Sequence, residues 1–236
     1  NVTTLTNLHV LARITGVTPA AAAEQNGVNI YGSGFFDIVS IKFNGTNAAH
    51  LVLSPTNIFA AVPGGARSGP ITVTTLENVA ISSTNFVVLP AITSFSPTNG
   101  LAGTSVTING TSFYEVSGVR FNGVPAVYVT NSTTQVTATV PETAATGPIS
   151  LTTPDGTATS SVFVVDPLRL GIRPAAVNLV VITWPGAATN YILEATLSLT
   201  PTISWTAVTN TPALVDGQNT VTNSLTGGNR FYRLRK

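Results

Sequence analysis

Val28-Asn29-Ile30-Tyr31-Gly32-Ser33-Gly34-Phe35 returns later in the chain as Val106-Thr107-Ile108-Asn109-Gly110-Thr111-Ser112-Phe113. Each octet alternates apolar and polar residues and then breaks at a glycine. That is the pattern of a strand with one buried face. The correspondence extends outward at a constant offset and without a gap, from residue 14 on 92 to residue 83 on 161. Ile14-Thr15 and Pro19 return as Ile92-Thr93 and Pro97, and Phe43-Asn44-Gly45 returns as Phe121-Asn122-Gly123. Val62-Pro63 returns as Val140-Pro141, and Gly69-Pro70-Ile71 as Gly147-Pro148-Ile149. What repeats is core and turn chemistry rather than reactive groups, so the chain reads as a rod of modules.

The same period of two runs through Val39/Ile41/Phe43, Ile58/Ala60/Val62 and Ile71/Val73. In the second copy it runs through Val119/Phe121, Val127/Val129, Val136/Ala138/Val140 and Ile149/Leu151. Asn44-Gly45 and Asn122-Gly123 suit type I′ hairpin turns, whose two central residues both need φ > 0. No segment keeps a helical period. Short strands with regular turn signals predict β-sandwiches, and the fold class is all-β with three tandem sandwiches.

These motifs resemble the IPT/TIG domain, an immunoglobulin-like module of plexins and transcription factors. The matching elements are the opening Ile-x-x-x-x-Pro, the Val-x-Ile-x-Gly-x-x-Phe strand, the Phe-Asn-Gly hairpin and Val-Pro followed by Gly-Pro-Ile. The first copy departs from the pattern at Ala20–Gln25, where an alanine run replaces a glycine-rich turn. The resemblance implies that the tandem sandwiches are immunoglobulin-like, behind an N-terminal strand extension, but it implies no one function, because this fold hosts unrelated roles.

The domain layout expected is an N-terminal strand extension at 1–12, sandwiches at 13–89 and 90–166, and a third at 167–236. In the third, Leu179–Trp184 and Tyr191–Ala195 read as paired strands, Asp216-Gly217 as a turn and Phe231–Arg235 as the last strand. This unit resembles a fibronectin-type-III sandwich. It is also similar to C-terminal modules of large secreted bacterial proteins, especially from the Verrucomicrobia–Planctomycetes group. The junctions Val88–Ala91 and Val165–Pro167 are short and carry proline, unlike a flexible Gly/Ser tether.

Composition narrows the functional classes. Charged residues make up 8% of the 236, against about 25% in ordinary globular domains. Cysteine and methionine are absent, so there is no disulfide or thiolate metal site. With no initiating Met, a secreted chain whose signal peptide has been removed is expected. No apolar run is long enough for a membrane span. Residues 1–167 carry four basic and seven acidic groups, net −3, and residues 168–236 carry six basic and two acidic, net +4. The acidic repeats argue against nucleic-acid binding, which needs a basic domain.

No catalytic, metal or cofactor motif is found. The two histidines, His9 and His50, lie apart, and the second copy has Tyr128 where the first has His50. Asp37 and Lys42 recur as Glu115 and Arg120, which reads as a surface ion pair. Trp205, Arg233 and Arg235 are the candidate ligand residues. An indole offers a sugar a stacking platform, and a basic strand offers an anionic polysaccharide or cell envelope a contact.

Residues 1–12 are rich in Thr, Leu and Val, as an extended strand would be. That strand pairs within its own module or is donated to a neighbour. The leading expectation is a non-catalytic extracellular structural protein, a filament or matrix subunit joined head to tail with copies of itself. Thr4, Leu5, Leu8, Val10 and Leu11 would form the donor strand. The alternative is an adhesin or carbohydrate-binding module of a larger secreted protein.

Overall fold

The computed structural model describes residues 10–225 and 228–236 as β-strands and connecting turns, without a helix. The chain divides into two compact units, Asn1–Val164 and Val165–Lys236.

The first unit holds both repeats. In the first repeat, one sheet orders Arg13–Thr18, Gly27–Ser33, Asn57–Ala61 and His50–Ser54. The facing sheet orders Thr46–Asn47, Ile38–Phe43, Ile71–Thr75 and Val79–Ile81. Val28, Ile30, Ile58 and Ala60 from one sheet, and Ile41, Phe43, Ile71 and Val73 from the other, make the buried core. The second repeat copies this plan with Ala91–Ser96, Ser105–Thr111, Gln135–Thr139 and Tyr128–Ser132. Its facing sheet holds Val124–Pro125, Gly118–Phe121, Gly147–Thr153, Gly156–Val165 and Asn99–Gly100.

The repeated motifs have distinct physical causes. A Cβ on Gly32 would sit inside the Arg13 carbonyl and the Phe35 ring, and one on Gly110 inside the Ala91 carbonyl and the Phe113 ring. The Gly-x-x-Phe spacing thus lets the phenylalanine fold back over a bare backbone where the first strand crosses. The Asn-Gly turns take the expected left-handed conformations, with φ 43° and 90° at Asn44 and Gly45, and 44° and 85° at Asn122 and Gly123. Their asparagines do a second job. Asn44 Nδ2 donates to the Ser68 carbonyl at 2.9 Å and Asn122 Nδ2 to the Thr146 carbonyl at 3.2 Å, each against the glycine of the Gly-Pro-Ile segment.

The repeats part company near their ends. Phe86 packs edge-on against Phe43 at 5.1 Å, and Phe163 against Phe121 at 5.2 Å. Phe163 lies one residue out of the repeat offset, since position 86 aligns with Val164. The alanine run of the first repeat forms Ala21–Ala23, which pairs in parallel with Val87–Leu89. It leads to Glu24, whose Oε1 accepts a hydrogen bond from buried Ser112 at 2.8 Å. Tyr114 donates to the Gly65 carbonyl at 3.4 Å, and the Arg67 guanidinium lies 4.2 Å from the centre of the Tyr114 ring. These contacts join the two repeats, and Pro90 alone separates strand Val87–Leu89 from Ala91–Ser96.

Several expectations need correction. Val39 is 58% exposed, because a register shift between Ile38 and Ser40 turns it away from the core. Val127 and Val129 are exposed too: Val129 lies opposite Thr137 on the outward face of the sheet, while Tyr128 and Thr130 lie opposite the buried Ala138 and Val136. Asp37 and Glu115 form no ion pair with Lys42 and Arg120 among the described residues. Both acids occupy left-handed turns, at φ 46° and 52°, and Arg120 donates to the Gly123 carbonyl instead. The donor-strand expectation is not among these corrections, since its Thr4, Leu5 and Leu8 lie outside the described residues. Val10 and Leu11 are exposed and belong to no strand, with their carbonyls against Gly34. The next residue, Ala12, exchanges two hydrogen bonds with Asn78 of its own module.

The second unit has a four-stranded sheet of Gly171–Ala176, Leu179–Pro185, Gln218–Ser224 and Ala213–Val215. Its three-stranded sheet holds Thr206–Ala207, Ile192–Thr196 and Phe231–Arg235. Trp184, Ile182, Leu193 and Val221 are buried in this unit. Leu179–Pro185 and Ile192–Thr196 therefore belong to different sheets rather than pairing, because the chain crosses the sandwich between them. The Asp216-Gly217 turn forms as expected, with φ 49° and 74°.

Candidate functional site

The three-stranded sheet of the second unit gathers the ligand residues expected from sequence. Side chains two apart on a strand share a face, so Arg233 and Arg235 project together. Glu194 lies directly opposite Arg233 in the neighbouring strand, and Ala207 lies opposite Glu194 on its other side. Trp205, two residues before Ala207, continues the same face.

Glu194 holds this face together. Arg233 reaches its Oε2 through Nε at 2.9 Å and Nη2 at 2.7 Å, and Arg235 Nε reaches Oε1 at 2.7 Å. The carboxylate side chain is only 7% exposed, while the arginines are 44% and 56% exposed. It is thus screened by the guanidiniums lying over it, not by depth in the core. The Arg233 hydrogen bond pulls the Glu194 pKa below its ordinary value. Desolvation opposes that shift, and the Arg235 bond and both positive charges reinforce it. A carboxylate held ionised in this way has no proton to give as a general acid at neutral pH.

The Arg233 guanidinium also lies 4.4 Å from the centre of the Trp205 ring. Trp205 is consequently half-buried rather than a free platform, with one ring face taken by the cation. Arg235 keeps Nη1 and Nη2 without a protein partner among the described residues.

Beside this face opens a cleft of about 520 Å³. Its polar lining includes Thr196, Ser198, Ser204, Thr209, Asn210 and Asn223, and Arg230 supplies its charge. Asn210 Nδ2 donates to the Thr222 carbonyl at 3.1 Å, tying the segment after the edge strand to the opposite sheet. Among the described residues no carboxylate lines the cleft. Among the described residues no three His, Cys, Asp or Glu side chains converge to hold a metal, and no helix is long and apolar enough to cross a membrane.

Sequence reasoning missed Glu194 and the cleft. The signal for Glu194 was present: a lone acid inside the apolar run Ile192-Leu193-Glu194-Ala195, with Arg-x-Arg in the last strand. The cleft joins loops distant in sequence and left no local pattern to read.

The fold has solved counterparts. A crystal structure with a xylogluco-oligosaccharide superposes with a TM-score of 0.50 at 16% identity, covering 93% of this chain and 55% of that one. This chain thus spans about half the length of that protein. The surface glycan-binding protein PbSGBP-B from Prevotella bryantii gives a TM-score of 0.40 at 16% identity, covering 65% of this chain and 42% of that one. The plexin A4 extracellular region gives 0.36 at 18% identity, covering 94% and 22%. At these identities the likeness is one of fold. No curated protein matches the sequence significantly. The family model of the IPT/TIG domain matches residues 12–87 and again 90–165, the two repeats built on the Gly-x-x-Phe and Asn-Gly devices, and the chain belongs to that family.

Proposed function

We propose that this chain is a non-catalytic, extracellular or cell-surface glycan-binding piece of a larger adhesive protein, with the second unit taking the ligand. The observation that carries this reading is the cleft. It is rimmed by hydroxyls and amides, lacks a carboxylate and lies beside the Trp205–Arg233–Arg235 face. Hydroxyl and amide groups match the hydrogen-bonding edges of a sugar, and a few placed polar groups in a concave site set orientation. The absence of a paired carboxylate fits binding without hydrolysis, since glycosidases generally need two. The fold likeness to a structure holding a xylogluco-oligosaccharide supports the same class of ligand. Domains at 13–89, 90–166 and 167–236 are the working layout. The division of the last into four and three strands supports a fibronectin-type-III-like reading.

Head-to-tail polymerisation through residues 4–11 has no support from the described residues. Val10 and Leu11 lie outside any strand, and Ala12 is tied to its own module.

Affinity electrophoresis against xyloglucan, mixed-linkage glucan and polygalacturonate tests the glycan reading. Retardation by at least one is expected, weakened about tenfold, or about 1.4 kcal/mol, by Arg230→Ala, which removes a lining residue of the cleft. Migration unchanged by every polysaccharide would refute it.

A further inference from the structure

The two repeats share a backbone plan but not an outer surface. On the sheet that carries the Val-x-Ile-x-Gly strand, the second repeat presents Asn109, Val129, Thr130, Asn131 and Thr137. Asn109, Asn131 and Thr137 join side-chain hydrogen bonds on this surface. Gln135 Nε2 donates to Asn109 Oδ1 at 3.0 Å, Thr137 Oγ1 to Asn131 Oδ1 at 3.1 Å, and Asn109 Nδ2 to Ser94 Oγ at 3.3 Å. The first repeat has Tyr31, Leu51, Val52, Leu53 and Phe59 at the same five positions. They are exposed by 41%, 61%, 41%, 53% and 43%. The shared fold therefore does not require apolar residues at four of these five positions, which are polar in the second repeat, Val129 being the exception.

The apolar run Leu51-Val52-Leu53 lies on an edge strand, His50–Ser54, which pairs only with Asn57–Ala61. Val52 sits opposite fully buried Ile58 and is still 41% exposed, so the strand overhangs the core. Leu53 falls in a register shift and has no opposite residue. Ala61 N–H bonds the Ala49 carbonyl, so by the alternation of an antiparallel ladder Leu51 bonds Phe59, and the N–H and C=O of Val52 face the open edge. Natural edges are commonly guarded by a charge, yet residues 43–66 contain no Asp, Glu, Lys or Arg.

We infer that this edge is the interface for a second copy of the chain, joined by antiparallel pairing of His50–Ser54 with the same strand about a two-fold axis at Val52. The strand is close to a palindrome. Val52 meets its symmetry mate, and Leu51 of each copy meets Leu53 of the other. Tyr31 and Phe59 flank the pairing on the sheet face. An isologous contact of this kind closes as a dimer and does not propagate. The five side chains offer on the order of 500 Å² per copy, within the roughly 300–600 Å² range of the largest patch on a typical monomer. Edge pairing leaves Tyr31, two strands in from the edge, uncovered, so two copies would bury less than about 1,000 Å², the lower bound for a specific interface, and the dimer is weak and concentration-dependent.

Sedimentation equilibrium on the chain from about 1 to 100 µM tests this, a range suited to an interface near the lower size bound. The mass is expected to rise from 24.3 kDa toward twice that value. Val52→Pro removes the outward N–H while sparing the bonds to Asn57–Ala61. The triple change Val52→Thr, Leu53→Asn and Phe59→Thr installs the second repeat's residues at three of the five positions. Each is expected to hold the mass at that of one chain with an unchanged circular-dichroism spectrum. A wild-type mass fixed at one chain throughout, or a dimer that survives both variants, would overturn the inference.

Discussion

Replacing Phe163 by alanine probes the irregularity that separates the two repeats. Phe163 is fully buried and meets two rings: Phe121 edge-on at 5.2 Å and Phe95 tilted at 6.2 Å. Phe86, which fills the corresponding space in the first repeat, is 3% exposed and meets one ring, Phe43, among the described residues. Truncating a buried phenylalanine costs about 3–5 kcal/mol, and each aromatic pair adds about 0.5–1.5 kcal/mol beyond burial. Phe163→Ala is therefore expected near the top of that range, about 4–5 kcal/mol, and Phe86→Ala about 1 kcal/mol less. Urea unfolding followed by circular dichroism measures the difference. Both tryptophans, Trp184 and Trp205, lie in the second unit. Tryptophan fluorescence then serves as an internal control whose midpoint should not move. A cost below about 2 kcal/mol for Phe163→Ala, or a larger cost for Phe86→Ala, would refute the packing argument.

Two further perturbations separate local causes. Gly110→Ala drives a Cβ into the Ala91 carbonyl and the Phe113 ring, and is expected to cost about 3 kcal/mol because backbone cannot yield. Gly118→Ala meets nothing within 4 Å and should be neutral or mildly stabilising, with thermal melts distinguishing the two. In the second unit, the folded-state pKa of Glu194 lies below its ordinary 4.5. Its ionised form thus stabilises the fold fully above that ordinary value, and this contribution is lost as pH falls through the depressed folded value. Acid titration should shift Trp205 emission as Arg233 is released, and Glu194→Gln should abolish the shift. A titration identical in wild type and variant would contradict the assignment.

Alternation along the chain made the strands of the repeats legible. The conserved breaks at Gly32 and Gly110, and the Asn-Gly pairs, were legible for the same reason: each answers a local constraint that a short stretch of sequence must satisfy. Bulges and partners were not legible. Period two states that a strand has two faces, but a one-residue shift at Ile38–Ser40 moves Val39 to the other side. It is equally silent on which strand lies alongside, so Leu179–Trp184 and Tyr191–Ala195 looked paired when they belong to opposite sheets. At the candidate site, Trp205, Arg233 and Arg235 were visible as residue types, while Glu194, which gathers them, emerged only from cross-strand register.

A duplicated chain carries its own control for what the fold demands. Positions retained in both copies, such as the Gly-x-x-Phe turn and the asparagine of the hairpin, touch backbone or core and are explained by packing alone. Functional assignments must then rest on what the copies do not share. Glu24, Arg67 and Tyr114 have as repeat counterparts Ala102, Ala145 and Phe36, none able to reproduce the same contact, and all three serve the joint between repeats. Leu53 and Phe59 have Asn131 and Thr137 as counterparts; Leu53 is 53% exposed, while the Phe59 ring lies over Gly27, where the second repeat has Ser105. The Glu194 cluster lies in a unit outside the duplication altogether. Replacing a first-repeat residue by its second-repeat counterpart therefore alters a surface with the least disturbance to the fold, which makes such exchanges sharper tests here than alanine.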